Sequence, residues 1–323
     1  MRIPRPLAVL ALSLAGVLVA TGCGGSSDDA PAAESSTVSV DTAFGAVEVP
    51  QDPQRVVALG WGDAETALAL GVQPVGASDW LAFGGEGVGP WAEGLYDEAP
   101  ELIGTLEPEL EKIAALRPDV ILDTKSAGTQ ERYDALAKIA PTVSIKEGGE
   151  QYNTSWRDQV DLVSQALGVP EKGEQLVADT EAKFTDVAAE YPQFAGRTAV
   201  VGALTTEGYG AYVARDSRVE FLTSLGFEDK PEIAELAGDS FSIDVSREQL
   251  DLLDADLTVI VTIGVDNSAV TDDEILARVP SVSDGRLVLF DPDTSLAFST
   301  NTVLSIGAAL ESVPPVLAEK LGA

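Results

Sequence analysis

The chain has 323 residues, 45% of them hydrophobic, with 53 acidic residues against 20 Lys and Arg, no His, and a formal net charge of −33. Such length and apolar content allow a buried core of two ordinary domains and exclude disorder as the default. The charge excludes nucleic acid as a partner, and the missing imidazole excludes Ser-His-Asp and Cys-His catalysis.

Arg2 and Arg5 precede the apolar stretch LAVLALSLAGVLVA (7–20) and the small residues before Cys23, the pattern of a secretory signal too short to persist as a membrane span. The ATGC junction and the following GGSSDDAPAAESS resemble the lipobox and tether of a bacterial lipoprotein. Residues 1–22 are therefore expected to be removed and Cys23 to be acylated, anchoring the protein to the extracytoplasmic face of the cell membrane. Cys23 is the only cysteine, so no internal disulfide and no cysteine-rich metal site can form. The tether is expected to run from 23 to 49.

From there the pattern is α/β. A lobe over 50–170 is expected to hold a strand at 56–59, a helix at 64–70 and a short strand near Val75. A long loop rich in Gly, Pro and aromatics follows at 80–100, then a helix and strand over 110–122, the helix ERYDALAKIA, the strand PTVSI and a helix near 155–167. Residues 171–193 hold a stretch without helix breakers that reads as one connecting helix roughly 30 Å long. A second lobe over 194–323 repeats strand, helix, helix, strand, then closes with LVLFD (287–291) and a helix from Thr302 to Leu321.

Two phrases occur twice in the same order. GDAETALALG (62–71) is echoed by SRVEFLTSLG (217–226), each with a Glu six residues before a Gly suited to ending a helix in a left-handed conformation. EKIAALRPDVIL (111–122) is echoed by EQLDLLDADLTV (248–259), each read as a short helix feeding a buried strand. The chain thus reads as two duplicated α/β halves.

QRVVALGWGDAETALALGVQPVGAS, LEKIAALRPDVIL, YDALAKIAPTV, SRVEFLTSLGF, VSREQLDLLDADLTVIV and FSTNTVLSIGAALESVPPVLAEKL together resemble the ferric-siderophore-binding lipoproteins of bacterial ABC importers. That group of bilobal binding proteins also contains cobalamin and haem binders. The resemblance implies two similar α/β lobes joined by one long rigid helix, a monomer with its ligand in the interlobe cleft and little closure on binding. It also implies that one Glu on each lobe, Glu65 and Glu220 by position, docks on a two-subunit ABC permease.

Ligands of α/β sheets lie beyond the carboxyl ends of the strands. Trp61, Trp80, Trp91 and Lys125 stand in such loops of the first half. Tyr209, Tyr212, Arg215 and Arg218 form the densest aromatic and basic cluster of the second, and Trp156, Asp291 and Phe298 are further candidates. Without His, and with Met1 lost with the signal, a bare zinc or copper ion lacks its usual ligands, so no metal site and no cofactor are expected. A ferric siderophore, which coordinates its own iron, suits aromatic walls and a few cations. Haem would need Tyr209 or Tyr212 as axial ligand, and cobalamin stays open. No G-x-S-x-G elbow is present; a carboxylate-pair glycosidase is the remaining enzyme reading, and no spacing singles out such a pair.

Overall fold

The computed structural model describes residues 36–104, 106–238 and 240–322. The signal, Cys23 and the first part of the tether lie outside them. In chain order the elements are β1 (Thr37–Thr42), β2 (Gly45–Pro50), β3 (Val56–Ala58), α1 (Asp63–Ala69), β4 (Gly76–Ser78), β5 (Glu101–Ile103), α2 (Leu110–Leu116), β6 (Val120–Leu122), α3 (Gln130–Leu136), β7 (Thr142–Val143) and α4 (Trp156–Ala166). The long helix α5 (Pro170–Glu190) leads to β8 (Thr198–Thr205), β9 (Tyr209–Tyr212), α6 (Ser217–Ser224), β10 (Glu228–Asp229), α7 (Pro231–Ala237), β11 (Ser242–Val245) and β12 (Leu257–Ile263). Last come α8 (Ser268–Thr271), α9 (Pro280–Ser283), β13 (Leu287–Val288), α10 (Pro292–Thr300) and α11 (Val303–Lys320).

Each lobe is built on one sheet. The first is five-stranded and all parallel, in the order β5-β4-β3-β6-β7. Its central strands read as uninterrupted apolar runs because both faces are covered, so no polar alternation survives. The second runs β11-β9-β8-β12-β13, with β10 also pairing β8. The duplication is visible in the pairing. β3 and β6 are parallel neighbours, as are β8 and β12. The strand after α1 pairs with β3, and the strand after α6 pairs with β8. The second lobe adds the antiparallel strands β9 and β11. Gly71 (φ 85°) and Gly226 (φ 100°) follow the two repeated helices in the left-handed conformation that a Cβ disfavours.

Several stretches differ from the sequence reading, among them Tyr209–Tyr212, read as a loop beyond a strand and found as β9. Residues 37–49, placed in the tether, form the antiparallel hairpin β1–β2. Its inward positions alternate, so Val40, Val47 and Val49 turn into the first lobe's core, with Thr42 buried beside them, while Asp41 and Glu48 face solvent. The second helix-to-strand phrase is helical only in the 3₁₀ sense, over Arg247–Leu253, with Gln249 off helical geometry. Five helices start on a capping side chain: Thr129, Ser155, Asp216, Asp291 and Thr302 each accept a backbone N–H of the helix that follows.

At 21 residues α5 is about 31 Å long, and it packs on α4 and α6. It is not the sole bridge. The C-terminal helix α11 packs against α5, against α1 of the first lobe and against the 3₁₀ turn Pro90–Ala92. The main core accordingly mixes Trp156 and Val160 of α4 with Phe298 of α10 and Ile306, Leu310 and Val313 of α11.

Candidate functional site

Between the carboxyl ends of the two sheets lies a cavity of about 1070 Å³. The loops after β3, β4, β6 and β7 bring Trp61, Trp80, Lys125 and Tyr152 to it. Trp61 joins an aromatic cluster, stacked on Trp80 at 4.9 Å and 13° and tilted against Tyr152 at 4.4 Å and 31°. The opposite wall comes from the end of β12 and the following loop (Val261–Asn267), from Phe290 after β13 and from Leu296 of α10. Arg218 and Asp216 stand at the start of α6.

The short loop Asp123–Ser126 holds the first-lobe wall together. Trp61 N–H donates to Lys125 O at 2.8 Å, Tyr152 N–H to Ser126 O at 2.8 Å, and the Thr154 hydroxyl to Thr124 O at 2.6 Å. Asp63, fully buried, accepts from Gly60 N (3.0 Å), Thr124 N (2.9 Å), the Thr124 hydroxyl and Gln159 Nε2 (2.7 Å). Gln159 also donates to Trp61 O. Asp123 makes a buried two-pronged ion pair with Arg132, Nη2 to Oδ1 at 2.8 Å. One carboxylate thus joins the loops bearing Trp61 and Lys125 to α4. Its burial pushes Asp63 up to about 6 despite these donors.

Gly60 is the tight point of this arrangement. A Cβ there would stand 2.2 Å from Asp63 Oδ2 and 2.7 Å from Lys125 N. Gly60→Ala is therefore expected to destabilise the protein by roughly 2–3 kcal/mol, read as a lower midpoint in urea unfolding; an unchanged midpoint would show that the two loops can part without cost.

Lys125 is 7% exposed, and its ammonium makes no hydrogen bond or ion pair among the described residues. Burial pulls it down to about 8, with nearby Asp216 acting in the opposite direction. Arg218 lies 3.9 Å above the Tyr212 ring and chelates Asp216, Nε to Oδ1 at 2.8 Å and Nη2 to Oδ2 at 2.6 Å.

Of the residues singled out from sequence, Trp61, Trp80, Lys125 and Arg218 line the cavity, while Trp91, Tyr209, Tyr212 and Arg215 do not. Trp91 packs onto the cores of both lobes and donates its indole N–H to Glu65 Oε2 at 2.8 Å. Tyr209 is buried with its hydroxyl on Asp273 at 3.1 Å, and Tyr212 is core beneath Arg218. Neither is placed to serve as a haem ligand in the cleft. Arg215 makes an ion pair with Glu150 at 3.1 Å, across from one lobe to the other. Trp156 and Phe298 are core, and Asp291 caps α10.

Glu65 also stands elsewhere than the resemblance implied. It is 2% exposed and accepts from Gly89 N (3.1 Å), Trp91 Nε1 and the Thr302 hydroxyl, so it presents no carboxylate to an outside partner. Glu220 does reach the surface, 29% exposed, beside Arg157. Tyr152, Phe290 and the 263–267 loop were missed, although each follows a strand and the rule that selected Trp61 covers them. Asp63 carried no signal beyond its place in the first turn of a helix.

Among the described residues, no group of three or more His, Cys, Asp or Glu side chains is arranged to hold a metal ion. Residues 56–294 match the family described as periplasmic binding protein. The structure of PiaA from Streptococcus pneumoniae TIGR4 in complex with ferrichrome superposes with a TM-score of 0.76 at 31% identity, covering 88% of this chain and 99% of that one. A periplasmic solute binding protein from Mycobacterium smegmatis gives a TM-score of 0.77 at 31% identity, with the same coverage. The probable siderophore-binding lipoprotein YfiY of Bacillus subtilis is 29% identical over 275 residues, 82% of this chain and 81% of its own length.

Proposed function

The chain belongs to the periplasmic binding protein family, and from that premise we propose that it is the substrate-binding component of an ABC importer, capturing a ferric siderophore between its lobes. The observation that carries this reading is the Trp80–Trp61–Tyr152 cluster facing an apolar wall across the cavity. A chelated ferric ion arrives with its coordination filled. What it shows the protein is a bulky organic surface ringed by oxygen acceptors, which flat rings and a few cationic donors recognise. PiaA holding ferrichrome and YfiY bearing a siderophore-binding name support the same ligand class.

The receptor works outside the cytoplasm, held to the membrane through acylated Cys23, and hands its ligand to the permease. Glu220 is the docking group on the second lobe; its counterpart on the first lobe is a residue other than Glu65. The role is capture and delivery, without chemical change to the ligand. Tryptophan fluorescence is the direct test, because Trp61 and Trp80 lie against the ligand. Ferric siderophores are expected to quench it saturably while cobalamin and haemin do not. Saturable quenching by haemin with none by any ferric siderophore would overturn the assignment.

A further inference from the structure

The charged side chains lining the cavity are Lys125, Asp216, Arg218 and Asp266, and their formal charges cancel. Arg218 is committed to Asp216 through two nitrogens, so it brings little uncompensated positive charge to a ligand. Asp266 is tied to the N–H of Ser268 at 2.8 Å. Lys125 is left as a buried ammonium with no acceptor among the described residues, facing the cavity. Around the mouth stand exposed apolar side chains, Leu81 at 38%, Phe241 at 42% and Ile263 at 48%. This is a lining for an apolar body with outward oxygen acceptors and no large net charge.

Ferric chelates divide by that property. Three singly deprotonated hydroxamates cancel the charge of the ferric ion, and their connecting arms are aliphatic. Three doubly deprotonated catecholates leave a trianion, whose charge this cavity would desolvate with a single unpaired cation to meet it. Resting on the receptor function proposed above, we propose that the ligand is an electroneutral ferric trihydroxamate. One of its metal-bound oxygens accepts from Lys125, and its aliphatic arms lie on the Trp61 cluster and the apolar mouth.

The test uses the full chain with the ferric complex of desferrioxamine E, which is neutral, and a ferric tris-catecholate, by calorimetry at about 0.15 M salt, where fields from the acidic surface fade beyond about 8 Å. The trihydroxamate is expected to bind about a hundredfold tighter or more, since the trianion leaves charge desolvated and unpaired. Lys125→Met is expected to weaken trihydroxamate binding about tenfold to a hundredfold, the range for a hydrogen bond from a charged donor. Its thermal midpoint should stay level or rise, because a buried unpaired charge is removed; a purely structural lysine would lower it. Equal or tighter binding of the tris-catecholate overturns the inference and leaves the receptor function standing. Unchanged affinity in Lys125→Met overturns the role of that side chain, and binding of neither chelate overturns the inference, the receptor function being decided separately by the fluorescence titration with the other ferric siderophores.

Discussion

Replacing Trp61 by Ala is expected to weaken ligand binding by about two orders of magnitude, close to 3 kcal/mol. Trp61 pairs with both other rings, so its loss removes two ring pairs together with the surface it offers the ligand. Ring pairs contribute about 0.5–1.5 kcal/mol each beyond area burial, and pocket anchors of this size commonly exceed 2 kcal/mol on truncation. The backbone should stay in place, because its N–H is held by Lys125 O and its carbonyl by Gln159. Calorimetry is the suitable measurement, since the variant also lacks one fluorescent reporter. Affinity within threefold of the parent would mean that the ligand does not stand on this cluster.

Asp63→Ala is expected to be the most destabilising single change in the first-lobe wall, costing roughly 3–5 kcal/mol, because the buried N–H groups of Gly60 and Thr124 and the amide of Gln159 lose their acceptor together. In a chain of this size that lowers the thermal midpoint by roughly 5–8 °C. A drop below about 3 °C would show that water replaces the carboxylate without cost. Asp63 also links stability to pH. Its folded value, about 6, is above the ordinary 3.8, so the folded state binds more protons than the unfolded chain across that interval. The associated stability is complete below about pH 4 and is lost as pH rises through about 6, on the order of 2–3 kcal/mol in total. Buried Glu65 and Asp123 are raised too, again chiefly by burial, and act in the same direction. Asp63→Asn separates the first contribution from the others. The gap in midpoint between parent and Asp63→Asn should widen as pH falls from 7 to about 4.5, and a constant gap would refute the linkage.

The fold was readable where a local signal was enough. Runs such as VVALG and LTVIVTI can hardly be anything but buried strands, and the repeated Glu-to-Gly spacing exposed the duplication before any pairing was seen. The hairpin was overlooked because its alternating valines sit in a segment that a flanking polar tether had already coloured as unstructured. At the site, the rule that post-strand loops face the cleft accounts for Trp61, Trp80 and Lys125, which line the cavity. It failed for side chains whose polar ends find partners far along the chain. Trp91 is drawn inward by Glu65, 26 residues away, Tyr209 by Asp273, 64 away, and Arg215 toward Glu150, 65 away. Composition marks these residues as able to bind; only the folded neighbourhood shows that their hydrogen-bonding capacity is already occupied. Glu65 is the sharpest case, because an acid in the first turn of a repeated helix looks solvent-facing until the Trp91 loop and α11 are laid over it.

The contact between Glu65 and Thr302 spans 237 residues, so the opening helix of the first lobe is completed by a segment far along the chain. A nascent chain carrying only its first half holds an acid lacking one donor, and the face of α1 that α11 covers stands bare. The two halves are thereby tied into one cooperative unit, because α1 is complete only once α11 lies against it.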